Sequence, residues 1–201
     1  MTLGKRPLQG WSIVTYSALA ISSILAIILI FQGINEPAMR IAIRATARTS
    51  CILFVAAFVA SALRRIWSNK LTTWLLKNRR YFGLSFAVSH GFHAIAIIAL
   101  AIITSGASYE SDPGGMLGYF FLITMTITSF RPTAAWLSQP NWQILHTVGM
   151  YYLWLAFIYS FGNRLDKSMY IYSPFVILLI LAILLRLISL KVRPDPTAKS
   201  C

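Results

Sequence analysis

The chain is poor in acid: its 201 residues include five carboxylates, Glu36, Glu110, Asp112, Asp166 and Asp195, against 18 lysines and arginines. None of the five falls inside an apolar run, so the interior lacks the paired carboxylates that general acid–base catalysis uses. Cysteine is nearly absent. Cys51 lies within an apolar run and Cys201 at the terminus, which excludes a disulfide framework and a thiolate zinc site. Cys51 reads as a packing residue. No glycine-rich phosphate loop is present, and with it goes a nucleotide-binding domain. Histidine is scarce too, with three residues, His90, His93 and His146.

What the chain does have is apolar length. It is 57% hydrophobic and 11% charged, with a mean hydropathy of +0.68, the composition of an integral membrane protein. A net charge of +13 would point to nucleic acid in a soluble protein. Here the basic residues lie between apolar runs, where they report topology, and no nucleic-acid partner is expected. Six apolar segments near the length of a helical span can be drawn, at Trp11–Phe31, Met39–Leu63, Tyr81–Thr104, Met116–Phe130, Trp142–Phe161 and Met169–Leu190. The first follows Lys5 and Arg6, is longer than a signal-peptide core and lacks a small-residue exit, so it reads as an uncleaved span. The second has a start signal in Asn35, Glu36 and Pro37. The fourth is the shortest and follows the turn-rich, acidic SGASYESDPGG. In the last, Ser173-Pro174 fits a helical first turn.

Charge asymmetry orients these spans. With the N-terminus inside, the inner segments hold 13 basic residues against Asp195, a net +12. The outer segments hold Arg40, Arg44, Arg48, Arg164 and Lys167 against four acids, a net +1. The expectation is an all-α, six-transmembrane-helix bundle forming a single domain over residues 1–201, with both termini cytoplasmic.

All three histidines lie inside apolar runs. His90 and His93, three residues apart, share one helical face of RRYFGLSFAVSHGFHAIAIIAL, and His146 sits in WQILHTVGMYYLWLAFIY. Ionisable side chains at membrane depth are costly, so this placement marks a ligand or proton-handling site. Hydrogen bonding across helices accounts for a membrane histidine equally well.

The order of features in ALRRIWSNKLTTWLLKNRRYFGLSFAVSHGFH resembles the ferric-reductase-like transmembrane domain: paired arginines ending the second span, a short loop, Arg-Arg-x-x-Gly-Leu, then a histidine deep in the third span. Within that family the likeness is closest to the MsrQ (YedZ) heme-binding subunits, which feed electrons to a periplasmic methionine sulfoxide reductase. Arg44 within RIAIRATARTS, ITSF at 127–130, and Trp142 with Leu145 and His146 match in order and spacing, so the resemblance runs from about Arg40 to Phe161. It implies heme b between helices, a redox partner protein or quinone, a partner-borne flavin as electron source, and a bacterial inner membrane location. It places His93 and His146 at the third- and fifth-span iron ligands, with His90 one turn from the first. Arg44 and then Arg48 are the implied partners of heme propionates or a quinone headgroup.

One position departs from the pattern. Relatives carry a second fifth-span histidine thirteen residues after the first, and here that place is Tyr159. At 1.5 Å per residue, His93 stands roughly 20 Å from the inner face and His146 about 9 Å, an offset too large for one shared iron. A five-coordinate heme, Tyr159 or Met150 as a ligand, and a heme-free protein all remain open.

Blander readings stand beside these. Trp67, Trp74 and Trp142 near span ends fit an interfacial aromatic belt, and Arg40 fits snorkelling. The basic stretch Arg64–Arg80 reads as a loop that marks the inner side and offers a dock for anionic lipid or a flavin-bearing donor. The alternative to an electron-transfer subunit is a heme-free structural or assembly subunit of a larger membrane complex. A histidine-based transporter fits less well, since the chain shows neither an internal repeat nor a pair of broken helices.

Overall fold

The computed structural model describes residues 8–106 and 113–192, and every regular element among them is helical. The helices are α1 (Trp11–Gln32), α2 (Glu36–Ile66), α3 (Lys70–Ile103), α4 (Pro113–Ile127), α5 (Arg131–Ala134), α6 (Gln139–Gly162) and α7 (Met169–Lys191). Five of them, α1, α2, α3, α6 and α7, are long and apolar enough to cross a membrane. α4 is apolar but shorter: its 15 residues rise about 22 Å, less than the roughly 30 Å of a hydrocarbon core. Both termini, Glu110, Asp112, Asp195 and Cys201 lie outside the described residues.

Local chemistry explains where the helices begin. At α2, Asn35 Oδ1 accepts the main-chain N–H of Ala38 at 3.0 Å, and Glu36 pairs with Arg40 at 2.8 Å, so the expected start signal operates. At α3 the start lies earlier than the apolar run indicates. Asn69 Oδ1 accepts the N–H of Thr72 at 2.9 Å while Thr72 Oγ1 accepts the N–H of Asn69 at 3.2 Å, a reciprocal cap. The basic stretch Arg64–Arg80 is therefore not a loop. Only Trp67, Ser68 and Asn69 connect the two helices, and Lys77, Arg79 and Arg80 are helical. Two smaller corrections follow. Phe130, extended with φ −91° and ψ 143°, breaks the fourth segment before Pro132 opens α5. Pro174 lies in the second turn of α7, one turn deeper than expected, and the helix continues through it.

The chain divides into two compact units. The first comprises Met1–Leu53 and Arg80–Ser108, thus α1, the first part of α2 and the later part of α3. In it Ala38, Met39 and Leu100 form an apolar cluster joined by Ile28, Leu29 and Ile43. Trp11 packs edge-on to Tyr81 at 5.9 Å beside Gly10, whose positive φ of 63° sets the approach to α1. The second unit comprises Phe54–Arg79 and Tyr109–Cys201. Phe54 and Phe58, both fully buried, stack at 5.3 Å, and each takes a partner from α6, Phe157 at 5.3 Å and Tyr151 at 5.7 Å. α4 meets α6 at small residues, Gly118 beneath Tyr152 and Gly149 beneath Met125 and Phe121. α7 joins α6 through Phe161 with Phe175 and through Trp154 Nε1–H, which donates to the Leu179 carbonyl at 2.9 Å.

Candidate functional site

In the first unit the facing sides of α2 and α3 carry a continuous seam of hydroxyls that ends at a histidine. Ser50 donates to Ser89 Oγ at 2.8 Å, and Thr49 Oγ1 lies 3.0 Å from the same oxygen. One turn further, His93 Nδ1 lies 3.1 Å from Thr46 Oγ1 and 3.1 Å from the main-chain oxygen of Ile43. A carbonyl only accepts, so Nδ1 carries the proton in this arrangement. Thr46 spends its own hydroxyl hydrogen on the Ala42 carbonyl at 2.7 Å and meets His93 as an acceptor. The neutral imidazole then holds its lone pair on Nε2, the nitrogen farther from its own main chain. A main-chain carbonyl thus orients the ring through one nitrogen and leaves the lone pair on the other.

His90, one turn earlier on α3, stacks on His93 at 4.9 Å and 25°, and on its other side lies 5.4 Å from Phe86. Two stacked imidazoles of one helix cannot occupy opposite sides of one iron, so His90 and His93 do not form a facing ligand pair. Ser85, on the same side of α3 one turn before Ser89, is fully buried, and its hydroxyl has no hydrogen-bond partner among the described residues. The arginines of α2 differ among themselves. Arg40 is exposed and paired with Glu36. Arg44 is exposed with its Nε–H donated to the Arg40 carbonyl at 2.9 Å, and Arg48 is half-buried.

In the second unit His146 has different company. Its Nε2 lies 3.1 Å from Thr128 Oγ1, which gives its own hydrogen to the Thr124 carbonyl at 2.7 Å and so accepts from the imidazole. Trp142 stacks on the ring at 4.1 Å and 25° and donates its indole N–H to the Thr128 carbonyl at 2.9 Å. His146 thus ties α6 to the end of α4 through the nitrogen that would otherwise face a ligand. Tyr159 is 70% exposed, on a side of α6 not covered by protein, and Met150 is half-buried.

Among the described residues no three His, Cys, Asp or Glu side chains gather as a metal cage. An axial ligand to porphyrin-held iron needs no such cage, because the macrocycle supplies the equatorial donors. Sequence reasoning picked out His93 but not Thr46 or Ile43, which lie 47 and 50 residues away and carry no signal of their own. Comparison with family models, curated proteins and solved structures gives no match to the chain.

Proposed function

We propose that this multi-pass membrane protein is a heme b electron-transfer subunit of the ferric-reductase-like, MsrQ-related kind, with six spans and both termini cytoplasmic. The observation that carries the reading is the hydrogen bonding of His93, which fixes Nδ1 on Ile43 and Thr46 and leaves Nε2 as the basic nitrogen. Bound heme supplies one-electron chemistry at a potential set by its axial ligand, hydrogen bonds and burial. His93 is the residue that holds it. Thr46 and Ile43 keep its imidazole in one tautomer and one orientation. Arg44 and Arg48, on the helix that carries Thr46, provide guanidinium charge for propionates or for a quinone headgroup. With no nucleotide-binding motif, the reductant and the final acceptor belong to partner proteins or quinone.

A second reading has its own support. His146 is committed to Thr128 and stacked on Trp142, and Tyr159 is 70% exposed, so of the two fifth-span positions of the resembled family one is engaged in helix packing and the other faces away from the protein. That state of affairs fits a heme-free subunit of a larger membrane complex. An optical spectrum of protein purified from heme-replete cells decides between them. Dithionite-reduced α and Soret bands support the electron-transfer reading, and a preparation without them supports the structural one.

A further inference from the structure

The second unit holds a cavity of about 140 Å³ lined by Ser61, Ala62 and Arg65 of α2 and by Arg186, Ser189 and Leu190 of α7. It opens outward, since Arg65 and Leu190 are exposed while Ala62 and Ser189 are buried. Its two cations are held in place by main-chain acceptors. Arg65 Nη1 donates to the Ser189 carbonyl at 3.2 Å, and Arg186 Nη1 donates to the Phe58 carbonyl at 3.2 Å. Arg186 is further fixed by its guanidinium lying 4.5 Å over the Phe58 ring and 5.0 Å over Tyr151.

Neither arginine makes an ion pair within the described residues. Two like charges thus stand together near the ends of α2 and α7, where isolated cations are costly, with no carboxylate among the described residues to offset them. Each guanidinium has five N–H donors, and one carbonyl apiece leaves most of them for an oxyanion. Ser61 brings a hydroxyl to the same space. The two arginines also stand at different depths: Arg65 is the penultimate residue of α2, and Phe58, which anchors Arg186, lies about 10 Å further along that helix. A headgroup phosphate at the rim with its glycerol oxygens below would meet both, and acyl chains would run along the exposed Leu187 and Leu190.

We propose that this cavity binds the phosphate of an anionic phospholipid. The chemistry is that of basic pockets between transmembrane helices, and it is independent of whether heme is bound. The cavity has room for a few waters or one phosphate group, taking roughly 30 Å³ per water as the measure.

The test is native mass spectrometry of the full chain, delipidated and then titrated with phosphatidylglycerol or with zwitterionic phosphatidylcholine. One phosphatidylglycerol should be retained per chain and phosphatidylcholine should not. Arg186→Gln disturbs the Phe58 and Tyr151 stacking as well, so Arg65→Gln is the deciding variant, expected to weaken retention roughly fivefold for one basic charge removed near the membrane surface. Arg64→Gln, its neighbour outside the cavity, should leave retention unchanged, and Arg65→Lys should restore part of it. Equal loss in Arg64→Gln would show diffuse surface attraction and overturn the site. Displacement of the lipid by excess inorganic phosphate would assign the cavity to free phosphate and overturn the lipid.

Discussion

His93 Nδ1 and the main-chain oxygen of Ile43 lie 3.1 Å apart, joining α3 to α2 through a carbonyl that the Thr46 hydroxyl also meets at 3.1 Å. Because a carbonyl cannot donate, this single contact selects the tautomer of the imidazole, and Thr46 reinforces it. Variants should therefore separate the two histidines of the resembled family. His93→Ala is expected to remove most of the heme absorbance and His146→Ala to leave a substantial part, read from reduced-minus-oxidised spectra at equal protein. Thr46→Val keeps the shape and the Ile43 bond, and should weaken heme retention about tenfold, the low end for loss of a ligand-orienting partner. Full retention in His93→Ala would remove the assignment.

The outer arginines give a second, separate comparison. Arg40 is engaged with Glu36, whereas Arg44 lies one turn deeper and Arg48 deeper still. Arg44→Ala should lower heme or quinone retention more than Arg40→Ala, measured as pigment or quinone per mole of purified protein. Equal and negligible losses would mean that both arginines only snorkel.

Two serines one turn apart on α3 make opposite predictions for stability. Ser89 is buried and accepts from Ser50, so Ser89→Ala strands the Ser50 hydroxyl, while Thr49 keeps its bonds to the Ala45 and Thr46 carbonyls, and should cost about 1–3 kcal/mol. Ser85 is equally buried with an unpartnered hydroxyl, so Ser85→Ala removes an uncompensated polar group and should be neutral or stabilising by about 1 kcal/mol. Thermal unfolding in detergent, followed by circular dichroism, reads both. A loss in Ser85→Ala as large as in Ser89→Ala would show that Ser85 has a partner of its own.

Much of the helical outline is written in the sequence, because a run of apolar residues about twenty long has few alternatives in a membrane. Asn35 followed by Glu36 and Pro37 announces α2, and the announced cap is formed. The start of α3 is less legible. Lys70, Lys77, Arg79 and Arg80 look like loop residues on hydropathy alone, and the deciding cap between Asn69 and Thr72 is a pattern of two short polar residues that hydropathy does not weigh. The site divides in the same way. His90, His93 and His146 stand out because they are rare and sit in apolar runs, but whether each imidazole meets a carbonyl, a threonine or an open side depends on helix rotation. That rotation brings Ile43 to His93 and Thr128 to His146, and no periodicity in a single chain fixes it.

Gly149 is another position whose meaning lies in packing. A Cβ built there would stand 2.7 Å from Met125 Sδ and 3.2 Å from Phe121 Cδ1, and Met125 is itself buried. Gly149→Ala should then push α4 from α6 and cost about 1–3 kcal/mol, despite the helix propensity that alanine adds. Gly83→Ala, where nothing lies within 4 Å, is the matched control and should be neutral or slightly stabilising. An equal response at both positions would mean that α4 and α6 yield easily at this contact.

Topology is tested most directly at the short connections. If α2 and α3 both cross the membrane, the turn Trp67–Asn69 lies on one side and the α6–α7 connection, with Arg164, Asp166 and Lys167, on the other, provided α4 and α6 complete the count. α4 decides that proviso. At 15 residues it falls short of a straight crossing, yet the described residues between α3 and α6 hold no other apolar helix with which to return. The +12 to +1 charge asymmetry favours a crossing, because without one α6 would enter from the acidic side and leave the arginines of α2 and α7 on opposite faces. Single cysteines at Ser68 and Asp166, in a chain with Cys51 and Cys201 replaced by alanine, should label from opposite sides of sealed vesicles with a membrane-impermeant maleimide. Labelling of both from the same side would reduce the protein to five spans, with α4 lying in the interface.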